Sequence, residues 1–168
     1  MVRHSLRYGN LVLERYDFLM IKKYMQGPLG LEDYTHENAL ALLEENLLDA
    51  VVVYEKNMPS EVVRLYSTVS VISSSGMEEC FQLVPPDQVD LAKGRISALS
   101  NLGCSVLGLS QGDIIRYGVP SDFVSLRLAK VEQVDTKTRL AISEKELRTL
   151  FKRNLMEKMF DELELESA

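Results

Sequence analysis

The stretch Ile96-Ser-Ala-Leu-Ser-Asn-Leu-Gly-Cys-Ser-Val-Leu-Gly-Leu-Ser-Gln-Gly-Asp113 carries no catalytic group, yet its apolar residues and glycines are punctuated in an order that a generic core does not need. Ile96 to Leu99 reads as a short buried strand, and Ser100 as a turn or cap residue. Leu102, Val106 and Leu107 then fall at helical spacing on one face, and Gly108 can end that turn of helix in a left-handed conformation. Gly112-Asp113 reads as a tight turn into the strand Ile114-Ile115-Arg116-Tyr117. A strand, a short helix and a strand in such close succession form a binding-module element.

Upstream, Asn57-Met58-Pro59-Ser60 marks a boundary, because proline ends a helical pattern and the composition then turns β-branched. Val62 to Ile72 is strand-like, with Val63, Leu65, Val69 and Val71 on the inner face and a shift of parity near Ser67, the signature of a bulge or of two short strands. Ser73-Ser74-Ser75-Gly76 is a turn, and Glu79 to Val84 returns as the second half of a hairpin. Downstream, Phe123 to Val134 closes the sheet, offering Val124, Leu126, Leu128 and Val131 to the core.

The first 57 residues read differently. Leu13, Tyr16, Met20 and Tyr24 make one helical stripe between Asn10 and Met25, and Gly27-Pro28-Leu29-Gly30 breaks it. A second helix starts near Asp33 or Thr35, either of which can cap it, and Leu40, Leu43, Leu47, Ala50 and Tyr54 repeat at the three-four spacing of a coiled-coil seam. Residues 1–57 are therefore expected to form an antiparallel helical hairpin, a short coiled coil. Residues 58–136 form the sheet domain. Residues 137–168 add a C-terminal helix, in which Ser143 and Glu146 have the spacing of a capping box and Leu147, Leu150, Phe151, Leu155, Met159, Phe160 and Leu163 form an apolar stripe. That stripe must be buried in the protein's own core, in a partner, or in a homodimer. The expected class is α+β.

Composition sets the outer limits of function. The chain has 168 residues, no tryptophan and a formal net charge of -6, which argues against sequence-specific nucleic-acid binding through a basic face. No apolar run reaches membrane length and no signal-peptide order opens the chain, so a cytoplasmic protein without membrane contact is expected. Cys80 and Cys104 are the only cysteines, and Cys104 lies in the apolar helix, where a reduced buried thiol is expected. His4 and His36 lack partners at metal-ligand spacing, and no phosphate loop, nucleophile elbow or dinucleotide fingerprint occurs. Neither a catalytic residue nor a metal or other cofactor is expected, so the chain does not read as an enzyme.

The opening stretch resembles the S-P-L-G-x-A-L-L-G-x-x-x-G-D signature in the C-terminal, FKBP-like domain of the bacterial GreA/GreB transcript-cleavage factors and their relative Rnk, a regulator of nucleoside diphosphate kinase. The resemblance extends to Met58-Pro59-Ser60-Glu61-Val62-Val63 and Ser67-Thr68-Val69, and covers residues 57–133 well. It implies an FKBP-like antiparallel sheet with one short helix. It also implies RNA polymerase as partner, docked at the secondary channel rim through Ser100, Asn101, Leu102 and Gly103. Asn101 stands where the family has proline, which removes a rigid ring and adds a donor and an acceptor.

In the Gre factors two carboxylates at the hairpin tip, in a D-x-x-E-N-A context, help hold a catalytic magnesium ion in the polymerase. Glu37-Asn38-Ala39 matches the end of that context, but Tyr34 stands where aspartate is expected and Asp33 is one place off. The tip residues Glu32, Asp33 and Glu37 read in the first place as caps and favourable charges at a helix N-terminus. With a hairpin of Rnk-like length, the resemblance implies a regulator that competes with Gre factors without stimulating cleavage. Two other classes stay open: a non-catalytic dimerisation module using the C-terminal helix, and a peptidyl-prolyl isomerase, for which Tyr66, Phe81, Tyr117 and Phe123 are sparse aromatic provision.

Overall fold

The computed structural model describes residues 6–119, 122–135, 137–139 and 145–146. Two compact units divide the chain, Met1–Val134 and Asp135–Ala168. The first contains all the named strands and helices. It is α+β, with β1 (Val12–Glu14), α1 (Arg15–Met25), α2 (Tyr34–Leu48), β2 (Val51–Val53), β3 (Thr68–Ser73), β4 (Glu78–Val84), β5 (Arg95–Ser97), α3 (Asn101–Val106), β6 (Ile114–Val119) and β7 (Asp122–Glu132) in chain order.

Five strands form one sheet in the order β5-β4-β3-β7-β6. Three of its pairings are antiparallel, but β4 and β5 run parallel, with Leu83 opposite Ile96. The expectation of a wholly antiparallel sheet is thereby corrected. Between Val84 and Arg95 the chain makes two 3₁₀ turns, Pro86–Gln88 and Leu91–Lys93, and this longer connection returns it to the starting end of β4. Alternation along the strands sets the core: Val69, Val71, Phe81, Leu83, Leu126, Leu128 and Val131 are buried, as is Ile115. Val124 is only half-buried.

The parity shift expected near Ser67 marks a real break. Tyr66 takes φ 70°, and the regular strand begins only at Thr68. Reversing the backbone with a buried, non-glycine residue is held in place by the Tyr66 N–H donating to the Leu83 carbonyl at 2.7 Å and the Gln82 side chain donating to the Tyr66 carbonyl at 3.0 Å. A second irregularity lies further along, where the register of β3 against β7 shifts between Ser70 and Val71.

The N-terminal reading changes most. Leu11, Val12 and Leu13 are buried as β1 and its approach, and β1 pairs in parallel with β2, so the first helix starts at Arg15 and the second ends at Leu48. A three-residue apolar run in a helical register was free to become strand because the partner run Val51-Val52-Val53 lies beside it. The eleven residues of α1 span about 16 Å. This helix packs on β1 and β2, while α2 packs on α3, so the expected self-contained coiled coil gives way to helices that each rest on another element. Leu40, Leu43 and Leu47 are buried as expected, together with His36 and Ala39.

Arg64 joins the two halves of this unit. Its guanidinium is buried, donates twice to the Glu55 carboxylate at 2.9 and 2.6 Å and to Asp17 at 3.4 Å, and lies 3.8 Å from Glu14. Glu14 is also the N-cap of α1, accepting from the N–H groups of Tyr16 and Asp17. Its other oxygen, Oε1, is buried without a hydrogen-bond partner among the described residues.

Short helix α3 carries the opening motif. Gly108 takes φ 79°, the left-handed conformation expected of it, and Gly112, in the expected turn before β6, takes φ 95°. Gly103 is needed for a different reason: a Cβ there would lie 2.0 Å from the Ser97 carbonyl oxygen, so only glycine lets α3 sit this close to β5. Asp113 is buried, accepts from the N–H groups of Arg7 at 2.9 Å and Ser110 at 2.7 Å, and so staples the turn to the N-terminal segment.

In the second unit, Asp135 opens a helical turn by accepting from the Thr138 N–H at 2.8 Å and hydroxyl at 2.6 Å. The expected capping box at Ser143 and the stripe from Leu147 to Leu163 lie outside the described residues, as does the turn at Pro120-Ser121.

Three measurements check this account. Arg64→Met leaves buried carboxylates without their cation and should cost about 3–5 kcal/mol in urea unfolding. Gly103→Ala should destabilise by about 1–3 kcal/mol through overpacking, whereas an open site would instead gain helix propensity and stability. Burial first, and then the charge of Asp17, raise the Glu14 carboxyl above its ordinary 4.5. Because the folded-state value is the higher one, the stabilisation from Glu14 is complete below pH 4.5 and is lost as pH rises through the folded value. The stability of the parent relative to Glu14→Gln should accordingly fall as urea midpoints are followed upward from pH 4.5.

Candidate functional site

Ser100 is extended, with φ -66° and ψ 165°, and its hydroxyl accepts from the Gly103 N–H at 3.1 Å, capping α3. The same hydroxyl donates to the Ser97 carbonyl at 2.6 Å. Ser100, Asn101 and Leu102 are half-buried, whereas Gly103 and the residues that follow are buried. The four positions expected to dock a partner therefore differ: three reach the surface, and Gly103 supports them by close packing on Ser97. Cys104 is buried and forms no disulfide, as expected, and its thiol donates to the Asn101 backbone carbonyl at 3.4 Å.

Asn101 occupies the first helical position, where a backbone N–H has no partner within the helix. The Glu32 carboxylate accepts that N–H at 2.8 Å. The Asn101 side-chain amide donates to the Thr35 hydroxyl at 2.9 Å, and the Asn101 backbone carbonyl accepts from the Ser105 hydroxyl at 2.7 Å. Both groups that asparagine supplies and proline lacks, the backbone N–H and the side-chain amide, are thus engaged with residues some seventy positions earlier.

His36 completes the junction. It is buried, its Nδ1 accepts from the Glu32 N–H at 3.0 Å, and its Nε2 lies 2.6 Å from the Leu99 carbonyl. A carbonyl can only accept, so this arrangement assigns the ring proton to Nε2. Asp33 caps α2 by accepting from the His36 N–H at 3.0 Å, and its carboxyl is held below the usual range by the Thr35 hydroxyl and then by that N–H. Glu37 is exposed in the first turn of α2. Tyr117, half-buried on β6, is raised mainly by burial and next by the negative charge of Glu32.

The two sets of candidate residues, Ser100 to Gly103 and Glu32, Asp33 and Glu37, therefore lie around one junction instead of at opposite ends of the molecule. Thr35 and His36 are the members that the sequence reading missed as contacts; Thr35 stood out only as a possible cap, and His36 as a histidine without ligand spacing. The signal for the contact was Asn101, whose added donor required an acceptor. Among the described residues no group of three or more His, Cys, Asp or Glu side chains is placed to hold a metal ion, and no helix is long and apolar enough to cross a membrane.

Residues 58–133 match the family described as transcription elongation factor, GreA/GreB, C-terminal domain. The chain is 28% identical over 99 residues to the transcription elongation factor GreA of Phenylobacterium zucineum, covering 58% of this chain and 63% of that protein. It is 31% identical over 96 residues to GreA of Flavobacterium johnsoniae, covering 56% and 61%. The chain thus spans about three fifths of the length of these curated relatives. Among solved structures, the GreA/GreB elongation factor of Nitrosomonas europaea superposes with a TM-score of 0.59 at 29% identity, over 73% of this chain and 98% of that one. The matched segment contains β3 to β7 together with α3 and its Ser100 cap, so this part of the chain is a GreA/GreB-type C-terminal domain.

Proposed function

We propose that this protein is a bacterial RNA polymerase-binding regulator, similar to Rnk, that docks its sheet domain at the secondary channel rim and competes with Gre factors without stimulating transcript cleavage. The observation that carries the reading is the cap loop of α3, which presents Ser100, Asn101 and Leu102 half-exposed from within the GreA/GreB-type domain. A rigid helix start seated on Gly103 suits docking, because little side-chain freedom remains to be lost on binding. The absence of cleavage chemistry is supported by Asp33, whose carboxylate is committed to capping α2. The short α1 supports it as well, since about 16 Å of helix is little reach into a channel.

Capture of purified core RNA polymerase tests the reading. The parent chain should bind and should displace a Gre factor, leaving the transcripts of stalled complexes intact. The double variant Ser100→Arg with Asn101→Arg, and the separate variant Leu102→Arg that keeps the cap, should each bind about tenfold or more weakly. Undiminished binding by both would remove this loop as the docking face, and stimulated cleavage would remove the competitor role.

A further inference from the structure

We infer that Glu32 and Thr35 form an autoinhibitory strap over position 101, and that a partner docking on the α3 loop must displace it. This inference rests on the docking reading above and adds a control to the same loop.

The strap has a fixed end and a loose end. His36 is fixed, buried between the Glu32 N–H and the Leu99 carbonyl, and the turns that follow it bury Ala39, Leu40 and Leu43. Glu32 is loose: its side chain is 57% exposed and reaches Asn101 from the non-helical connection that also contains Gly27, Pro28 and Gly30. Its carboxylate can rotate into water while Asp33 keeps capping α2 and His36 keeps the segment in place. Release of Glu32 therefore breaks its contact with the Asn101 N–H and leaves the packing of α2 on α3 intact.

What the strap covers is the polar part of the loop. The N–H of Asn101 is unused by α3 itself, and the side-chain amide is the other donor that this position offers. With both satisfied by the chain's own residues, a partner approaching through an acceptor, such as a carboxylate or a backbone carbonyl, competes with Glu32 and Thr35 for the same donors. The remaining half-exposed neighbours, Ser100 and Leu102, stay available throughout. Affinity is thus lowered by the population of the strapped state, as for any site whose competent form is only part of the ensemble.

Two variants remove the strap by different chemistry. Glu32→Ala deletes the acceptor. Asn101→Pro deletes both donors, and it is compatible with the fold because proline is favoured at the first helical position and Ser100 before it is already extended. Affinity for core RNA polymerase should rise about three- to tenfold in Glu32→Ala, the range set by the net worth of one hydrogen bond, and should not rise in Asn101→Pro, which removes the partner's donors together with the strap. Hydrogen exchange of the Asn101 amide should quicken in Glu32→Ala. Glu45→Ala, which removes the same charge from an exposed position on α2, should leave affinity unchanged.

Unchanged exchange at Asn101 in Glu32→Ala would show that no strap exists. Quickened exchange with equal or weaker polymerase binding would overturn the inhibitory role while leaving docking in place. A matching gain in Glu45→Ala would assign the effect to bulk charge and overturn it too. Failure of the parent and both strap variants to bind polymerase would remove the docking reading itself, and the strap's inhibitory role with it.

Discussion

The guanidinium of Arg64 is the interaction on which the rest of this unit depends. It lies at the entrance to the sheet domain, yet its partners are Asp17 on α1, Glu14 at the cap of α1 and Glu55 in the turn after β2. One buried cation thus fixes where the N-terminal elements sit on the sheet. Such a cluster contributes more to uniqueness than to net stability, because removing Arg64, Glu14 and Asp17 from water offsets much of their attraction. Its uneven satisfaction shows in Glu14, whose Oε1 is left without a partner and whose carboxyl is raised by burial.

Once the N-terminal elements are held, α2 comes to lie against α3, and the consequences reach the loop at Ser100. The charged residues at the head of α2 cap their own helix and bind Asn101. A helix head that in the sequence suggests a projecting tip is therefore part of a junction with the sheet domain. The same junction accounts for the asparagine at position 101, since a proline there would leave Glu32 with no N–H to accept and Thr35 with no amide to receive.

Legibility followed the range of the interactions involved. The cap at Ser100, the left-handed Gly108, the turn at Gly112, the turn at Ser73 to Gly76 and the inward residues of β3 are all consequences of contacts a few positions apart or of simple alternation, and all were readable from spacing. The likeness of residues 58–133 to the GreA/GreB C-terminal domain was readable too, because its signature is this local punctuation. The N-terminal segment was misread where local and distant preferences conflict. Leu11 to Leu13 fit a helical stripe, but pairing with Val51 to Val53 makes them strand. Arg64 alternates with Val63 and Leu65 and shows no sign, along the chain, of carboxylates supplied by Asp17 and Glu55.

By itself, the sequence determined the α+β class, the position of α3 and its cap, the strands β3, β4, β6 and β7, and the likeness of residues 58–133 to a GreA/GreB C-terminal domain, because these rest on periodicity, turn chemistry and a local motif. Tertiary structure alone decided that β4 and β5 run parallel, that Gly103 is required by the Ser97 carbonyl, that Arg64 gathers its carboxylates, and that Glu32, Thr35 and His36 close on Leu99 and Asn101. The physical reason is distance along the chain: hydrogen bonds and ion pairs between residues tens of positions apart leave no period in the sequence, only donors and acceptors whose partners the fold must supply.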